Sequence, residues 1–259
     1  MHKSIKNIAF AGAGNIAWHL ANALKLEGYK ITGIWSRNYI NAQSLADSCE
    51  AKAFNEINEL RADTDLIIIA VADIAIADVA LNIGKFDGIV VHTAGSVPID
   101  VLADKFKNFG VFYPLQTFSK GTVVNLGEVP FFIESSSDKV SEAINHVVLK
   151  LSSKVYKADS HQRLLLHIAA VFAGNYSNLM YTIGNEILKN SNLPAEVLNP
   201  LILETARKAV LVDPLAVQTG PARRHDITTI EKHIETLASL LEYAELYRLL
   251  ARQISNKYK

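Results

Sequence analysis

The sequence predicts an α/β protein, with a doubly wound, mainly parallel sheet in its N-terminal part and an all-helical domain after it. Three observations predict this. Short β-like apolar runs alternate with helical stretches through the first part of the chain. A glycine-rich turn joins the first of these runs to the first helix. After Asp159 the strand signals stop. Such alternation buries a parallel sheet beneath helices on both faces. The expected boundary gives domains of residues 1–157 and 158–259.

The elements follow in order. "IKNIAFAG" reads as a strand and Asn15–Leu26 as a helix. "YKITGIW" is the next strand, followed by a helix over Ile40–Asp47. "DLIIIAV" is continuously apolar, as a strand covered on both faces must be. Further strands are expected at "GIVVHT", "NFGVFYP", "VPFFIES" and "SKVYKA", with helices near 74–82, 99–105 and 138–150. Residues 160–190 read as one long helix interrupted only by Gly174 and Gly184. "NLPAEV" starts another, with Pro194 suited to a first helical turn. "VDPLAVQTGPARRH" is expected to be a non-helical connection. Asp226 or Thr228 then caps a helix, Glu231 completing a capping box in the second case. Leu240, Leu241, Ala244, Tyr247 and Leu250 mark the apolar face of a last helix.

Composition excludes several classes of function. The chain has 259 residues, 49% of them hydrophobic, which is enough for a sizeable core. Lys and Arg number 26 and so do Asp and Glu, so nothing favours nucleic acid or an anionic membrane as a partner. No apolar run approaches the roughly 20 residues that span a bilayer. Cys49 is the single cysteine. With no secretory pattern at the start, a soluble cytoplasmic protein is expected.

The strongest motif lies in "NIAFAGAGNIAWHLANAL": Gly12, Ala13, Gly14, Asn15, Ile16 and Ala17 form a G-x-G-x-x-A between strand and helix. The first glycine permits the tight turn, and the second lets a pyrophosphate approach the backbone. The small third residue packs helix on strand, and the helix N-terminus faces the phosphates. Heading a βαβ unit, this is a dinucleotide-binding Rossmann fingerprint. The second strand then selects the nucleotide. NAD sites place Asp or Glu there, about 20 residues on, to hold the ribose hydroxyls. This chain has Ser36, Arg37 and Asn38, which donate to a 2′-phosphate instead, so NADP(H) is the expected cofactor. Val71, Ala72 and Asp73 follow another strand end, and Thr93, Ala94 and Gly95 in "HTAGS" follow the next. Ligands bind at the carboxyl ends of strands in such sheets, so both loops are expected beside the cofactor.

Candidates for the chemistry are fewer. "GVFYPLQTFSK" brings Tyr113, Pro114, Gln116 and Thr117 after a strand, as a wall of a substrate pocket or as core. His161, His167, Asn175 and Asn178 lie on the first long helix. His167, in "LLLHIAAVF", is either a satisfied core residue or a proton donor, since histidine titrates near neutral pH. His92 is the reserve donor. Asn175 and Gln116 are expected to orient the reacting group.

The GxGxxA unit, the "SRN" strand end, the "HTAGS" loop and the helical tail resemble a broad group of oxidoreductases. The group includes pyrroline-5-carboxylate reductase, prephenate dehydrogenase and the β-hydroxyacid dehydrogenases, with a C-terminal domain of the 6-phosphogluconate dehydrogenase type. "FYPLQTFSK", "HIAAVFAGNYSNLMY" and "TGPARRHD" resemble more closely a bacterial family of NADP oxidoreductases whose C-terminal domain is of unknown function. The likeness covers essentially the whole chain. It departs from the β-hydroxyacid dehydrogenases in having no lysine in Leu164–Met180.

In related reductases the loop equivalent to "TGPARRHD" approaches the substrate, which implies that Arg223 and Arg224 bind a carboxylate or phosphate. The alternative is a polar elbow, with both arginines held by carbonyls or by Asp226. The resulting expectation is an NADP(H)-dependent oxidoreductase moving hydride to or from a small, acid-bearing carbonyl or imine metabolite. Its other form is a non-catalytic NADP(H)-binding sensor. No metal is expected. Apolar C-terminal helix faces suggest a homodimer, unless they pack on their own domain.

Overall fold

The computed structural model describes residues 5–258. The chain forms two compact units, Met1–Gly174 and Asn175–Lys259.

The first unit is built on one sheet of eight strands, counted among the described residues. They are β1 (Asn7–Ala11), β2 (Lys30–Trp35), β3 (Lys52–Phe54), β4 (Leu66–Ile69), β5 (Ile89–His92), β6 (Asn108–Pro114), β7 (Phe131–Ser135) and β8 (Val155–Lys157). Their order is β3-β2-β1-β4-β5-β6-β7-β8, parallel throughout except where β6 meets β7. This is the doubly wound arrangement, and its direction of winding reverses between β1 and β4. The helices are α1 (Asn15–Leu26), α2 (Tyr39–Cys49), α3 (Ile76–Ile83), α4 (Asp138–Leu151) and α5 (Ser160–Ala170). Alternate residues of the central strands face two separate cores. Ile8, Phe10, Leu66 and Ile68 pack towards Leu20, Leu24 and Leu45. Ala9, Ala11, Ile67 and Ile69 pack towards Ile76, Val79 and Ile83. Leu66–Ile69 is buried at every position, which is why it reads as a continuous apolar run.

A π-helical segment, Val171–Tyr176, follows α5. The second unit contains α6 (Ser177–Asn190), α7 (Asn199–Leu211), α8 (Pro214–Val217), α9 (Ile227–Thr236) and α10 (Leu241–Lys257). Its own small core joins Ala222, Ile230, Ile234, Ala244 and Ala251.

Several local expectations change. β3, absent from the sequence reading, is only three residues long and pairs along one side of β2. The expected helix at 99–105 is a single 3-10 turn, Ile99–Leu102, opened by the extended Pro98. Gly174 lies in the π-helical segment, whereas Gly184 does not interrupt α6 at all. A glycine inside a helix costs about 1 kcal/mol and is tolerated. The "non-helical" connection contains α8, whose start Asp213 caps by accepting from the Leu215 amide, and a 3-10 turn at Ala222–Arg224. Asp226 is the cap of α9, accepting from the Thr229 amide at 3.0 Å, which puts Thr228 inside the helix.

Candidate active site

Where β1 ends, Gly12 turns the chain with φ +124°, a region closed to most side chains. A Cβ on it would lie 2.2 Å from the Ala70 carbonyl oxygen. Its amide donates to the Trp35 carbonyl at 2.7 Å, so the turn is tied to the neighbouring strand. Gly14 is the N-cap of α1 and offers no side-chain cap, and no acidic residue stands in the first turn. A Cβ on Gly14 would meet nothing within 4 Å. The first amides of α1 therefore face open space, as a helix that receives a phosphate requires. Ala17 is fully buried, packing helix on sheet as its small size allows.

These residues form one wall of a cleft of about 1160 Å³ at the carboxyl ends of the strands. Gly12–Ile16, Ser36–Asn38, Val71, Ala72 and Gln116 line it together, with Phe118 beside them. Arg37 is exposed, and Asn38 uses its Oδ1 to cap α2 on the Ile40 amide. The segment after β6 lies along α1. Asn15 donates from Nδ2 to the Phe118 carbonyl at 2.8 Å, and His19 Nε2 lies 3.0 Å from the Ser119 carbonyl. Gln116 is turned on its own loop, its Oε1 accepting from the Thr117 amide at 2.8 Å.

The loops after β4 and β5, the end of β6 and α5 contribute a second group of side chains. Asp73 accepts a hydrogen bond from the Ser96 hydroxyl. The Tyr113 hydroxyl lies 3.2 Å from His167 Nδ1, with the two rings edge to face. Gly95 sits directly against this pair, where a Cβ would come within 2.8 Å of Tyr113 Cζ and 2.9 Å of His167 Nδ1. Burial pushes the Tyr113 phenol above its ordinary pKa, the Asp73 charge adds to the rise, and the Arg163 charge opposes it. His167 is half-buried.

The remaining expected residues are placed differently. His92 is fully buried at the end of β5. Its Nδ1 accepts from the Ala94 amide at 3.2 Å, while Nε2 faces the Pro98 backbone without closing a full hydrogen bond. Burial, reinforced by the Arg163 charge, lowers its pKa to about 4. It is a neutral core histidine, closed off from any ligand. Thr93 and Ala94 are buried in the loop just after β5 rather than on the cleft wall, Thr93 bonding back to the Ile69 carbonyl. Asn175 is exposed in the π-helical segment and opens the second unit. His161 and Asn178 are exposed. In the second unit Arg223 stacks on the Tyr258 ring, 5.3 Å from its centroid, and the Arg224 charge acts on Asp226. Both arginines are exposed and both contacts belong to the elbow.

One constellation was missed by the sequence reading. Arg163, 1% exposed, pairs with Glu134 of β7 and donates to the carbonyls of Ala94, at 3.2 Å from Nε, and of Val97. Ser160 completes it, giving its hydroxyl to Glu134 at 2.8 Å and accepting from the Ile99 amide at 3.0 Å. This network fastens the "HTAGS" loop to the start of α5. Its partners stand far apart in the sequence, and only an arginine inside the apolar side of a helix hinted at it. Among the described residues no group of three or more His, Cys, Asp or Glu could hold a metal, and no helix is long and apolar enough to cross a membrane.

The chain matches the model of an oxidoreductase family with an NAD-binding Rossmann fold over residues 6–85, and DUF2520, a domain of unknown function, over residues 129–254. It is 41% identical to "putative NADP oxidoreductase BF3122 from Bacteroides fragilis", covering 97% of this chain and 98% of that one with a TM-score of 0.92. A reductive aminase from Aspergillus terreus, solved with NADPH4, cyclohexanone and allyl amine, is 16% identical over 98% of both chains, with a TM-score of 0.71. An imine reductase from a Pseudomonas species is 15% identical over 95% of both chains, with a TM-score of 0.65. These two share the fold. No curated protein matches the chain. A dinucleotide cleft of this form, and a relative that close over nearly its whole length, establish that the chain belongs to the family of NADP oxidoreductases joining a Rossmann domain to a DUF2520 domain.

Proposed function

We propose that this protein moves hydride between NADP(H) and the carbon of a small C=O or C=N group, with His167 exchanging the proton at the heteroatom. The observation that carries the reading is the Tyr113–His167 pair, held at 3.2 Å between the end of β6 and α5. The cofactor, when bound, supplies the hydride. The chain's own residues do the rest. The amides at the start of α1 receive the pyrophosphate across Gly12 and Gly14, and Ser36, Arg37 and the free amide of Asn38 hold the 2′-phosphate. Val71 and Ala72 keep the wall low enough for the rest of the dinucleotide to pass. Gln116 and Asn175 are candidates to orient the substrate. Arg223 and Arg224, exposed in the second unit, are the candidate donors to an acid group.

The second unit exposes Leu201, Leu203, Val210 and Leu211 along α7, which supports a homodimer. The single cysteine, Cys49, is buried and unpaired, in keeping with a reducing, cytoplasmic setting.

The reading is tested by following NADPH oxidation with a panel of cyclic imines and 2-oxo acids, in the wild type and in His167→Ala. Turnover of one panel member, reduced about 10²–10⁴-fold in the variant, is the expected result. Unchanged turnover in His167→Ala removes the proton-donor role. NADPH binding with no turnover of any acceptor favours the non-catalytic sensor.

A further inference from the structure

Resting on the reading of His167 as proton donor, we infer that Tyr113 is a positioning residue: its oxygen accepts from His167 Nδ1–H and so makes Nε2 the nitrogen whose proton comes and goes. The heavy-atom contact, 3.2 Å, suits donation in either direction. The surroundings decide between them.

Tyr113 stands at the end of β6 with its ring buried, so its oxygen has little freedom to leave the histidine. Gly95 contributes no side chain between the two rings. The charged groups acting on the phenol come from two other elements. Asp73, beyond β4, raises its pKa, and Arg163, on α5, lowers it. Arg163 is already committed to Glu134 and to the carbonyls of Ala94 and Val97. Asp73 accepts from the Ser96 hydroxyl; in the imidazolium that a proton donor must be, both ring nitrogens carry hydrogen, so the Tyr113 oxygen facing Nδ1 can only accept. The oxygen lone pairs are then turned to Nδ1. His92, the other ring nearby, is neutral and bonded to the Ala94 amide, so it adds no competing charge.

The chemical consequence is a balanced step. In the reductive direction the imidazolium gives its Nε2 proton to the substrate nitrogen or oxygen as hydride reaches the adjacent carbon. The N–H electron pair stays on Nε2, and the neutral ring keeps Nδ1–H on the Tyr113 oxygen. In the oxidative direction the vacant Nε2 takes the proton back. A neutral ring protonated at Nε2 would lack the acceptor that this reverse step needs.

The tautomer is measured directly, with no substrate, by long-range ¹⁵N–¹H correlation of the His167 ring in the full-length protein. Spectra are recorded with and without NADPH at a pH where the ring is neutral, and His167→Asn identifies the signal. The wild type should show the Nδ1–H form as the dominant species. Tyr113→Phe, which removes one hydroxyl from a buried ring, should shift the majority to Nε2–H, the form a free histidine side chain prefers. A wild-type ring already protonated at Nε2, or a Tyr113→Phe spectrum identical to the wild type, overturns the inference. Failure to turn over any imine or carbonyl would instead overturn the functional reading, since the tautomer is read without turnover.

Discussion

Arg163 and Glu134 form an ion pair beneath the "HTAGS" loop, with the arginine side chain 1% and the glutamate side chain 18% exposed. The guanidinium also ties down the carbonyls of Ala94 and Val97, so one buried cation joins β7, α5 and the loop that carries Gly95. Few buried pairs add much stability over an apolar packing, but removing one partner strands the other charge. Arg163→Met should therefore cost about 3–5 kcal/mol of unfolding free energy. Denaturant titration of the variant checks it, and a loss below about 1 kcal/mol, the scale of a surface pair, would contradict the buried-network account.

His92 makes stability depend on pH. Burial, with help from the Arg163 charge, lowers its folded pKa to about 4 from an ordinary 6.5. Between those values the unfolded chain binds a proton that the folded chain refuses. Stability is thus full above pH 6.5 and falls as the pH drops towards 4. From this residue the loss at about pH 5 is on the order of 2 kcal/mol. His92→Asn keeps an acceptor for the Ala94 amide and has no titrating ring, so its stability should fall less steeply between those two pH values. Equal slopes in urea denaturation at pH 7 and pH 5, wild type against variant, would contradict the assignment.

Gly95 is the contact on which the Tyr113–His167 pair stands. A Cβ there would come within 3.0 Å of Tyr113 Cζ and of both His167 Nδ1 and Cβ. Gly95→Ala must push α5 or the Tyr113 ring aside, an overpacking worth about 1–3 kcal/mol. Thermal unfolding should show that loss, and turnover should fall with it because the 3.2 Å contact opens. A variant with wild-type stability and turnover would mean that the loop yields freely.

The parts legible in the sequence were those written in contiguous residues. The glycine turn, α1 and β1 were legible because fingerprint, strand and helix follow one another without a gap, and α1 runs over Asn15–Leu26 as expected. The buried β4 was legible because both of its faces are apolar. The 3-10 turn at Ile99–Leu102 was not, since its residues suit a helix and only the loop tied to Ser160 and Arg163 limits it to one turn. β3 was hidden by its length. The site was half legible: His167 stood out as a polar residue in an apolar helix, but nothing local pairs it with Tyr113, which arrives from β6. Arg163 is marked in the sequence only as an arginine on the apolar side of α5. Its burial depends on Glu134, Ala94 and Val97, which only the folded sheet brings to it.

The cleft, the "SRN" strand end and the family all bear on the choice of NADP(H) over NAD(H). Arg37 is exposed on the cleft wall. Calorimetric titration of the purified protein with NADPH and with NADH, repeated on Arg37→Ala, measures that choice. One charge-assisted hydrogen bond is worth about 1.5–3 kcal/mol, or roughly ten- to a hundredfold in affinity. NADPH should bind tightly and NADH much more weakly, and the variant should lose that factor for NADPH while binding NADH almost unchanged. Equal affinities for the two cofactors in the wild type, or an Arg37→Ala variant that still prefers NADPH by the same margin, would contradict that expectation.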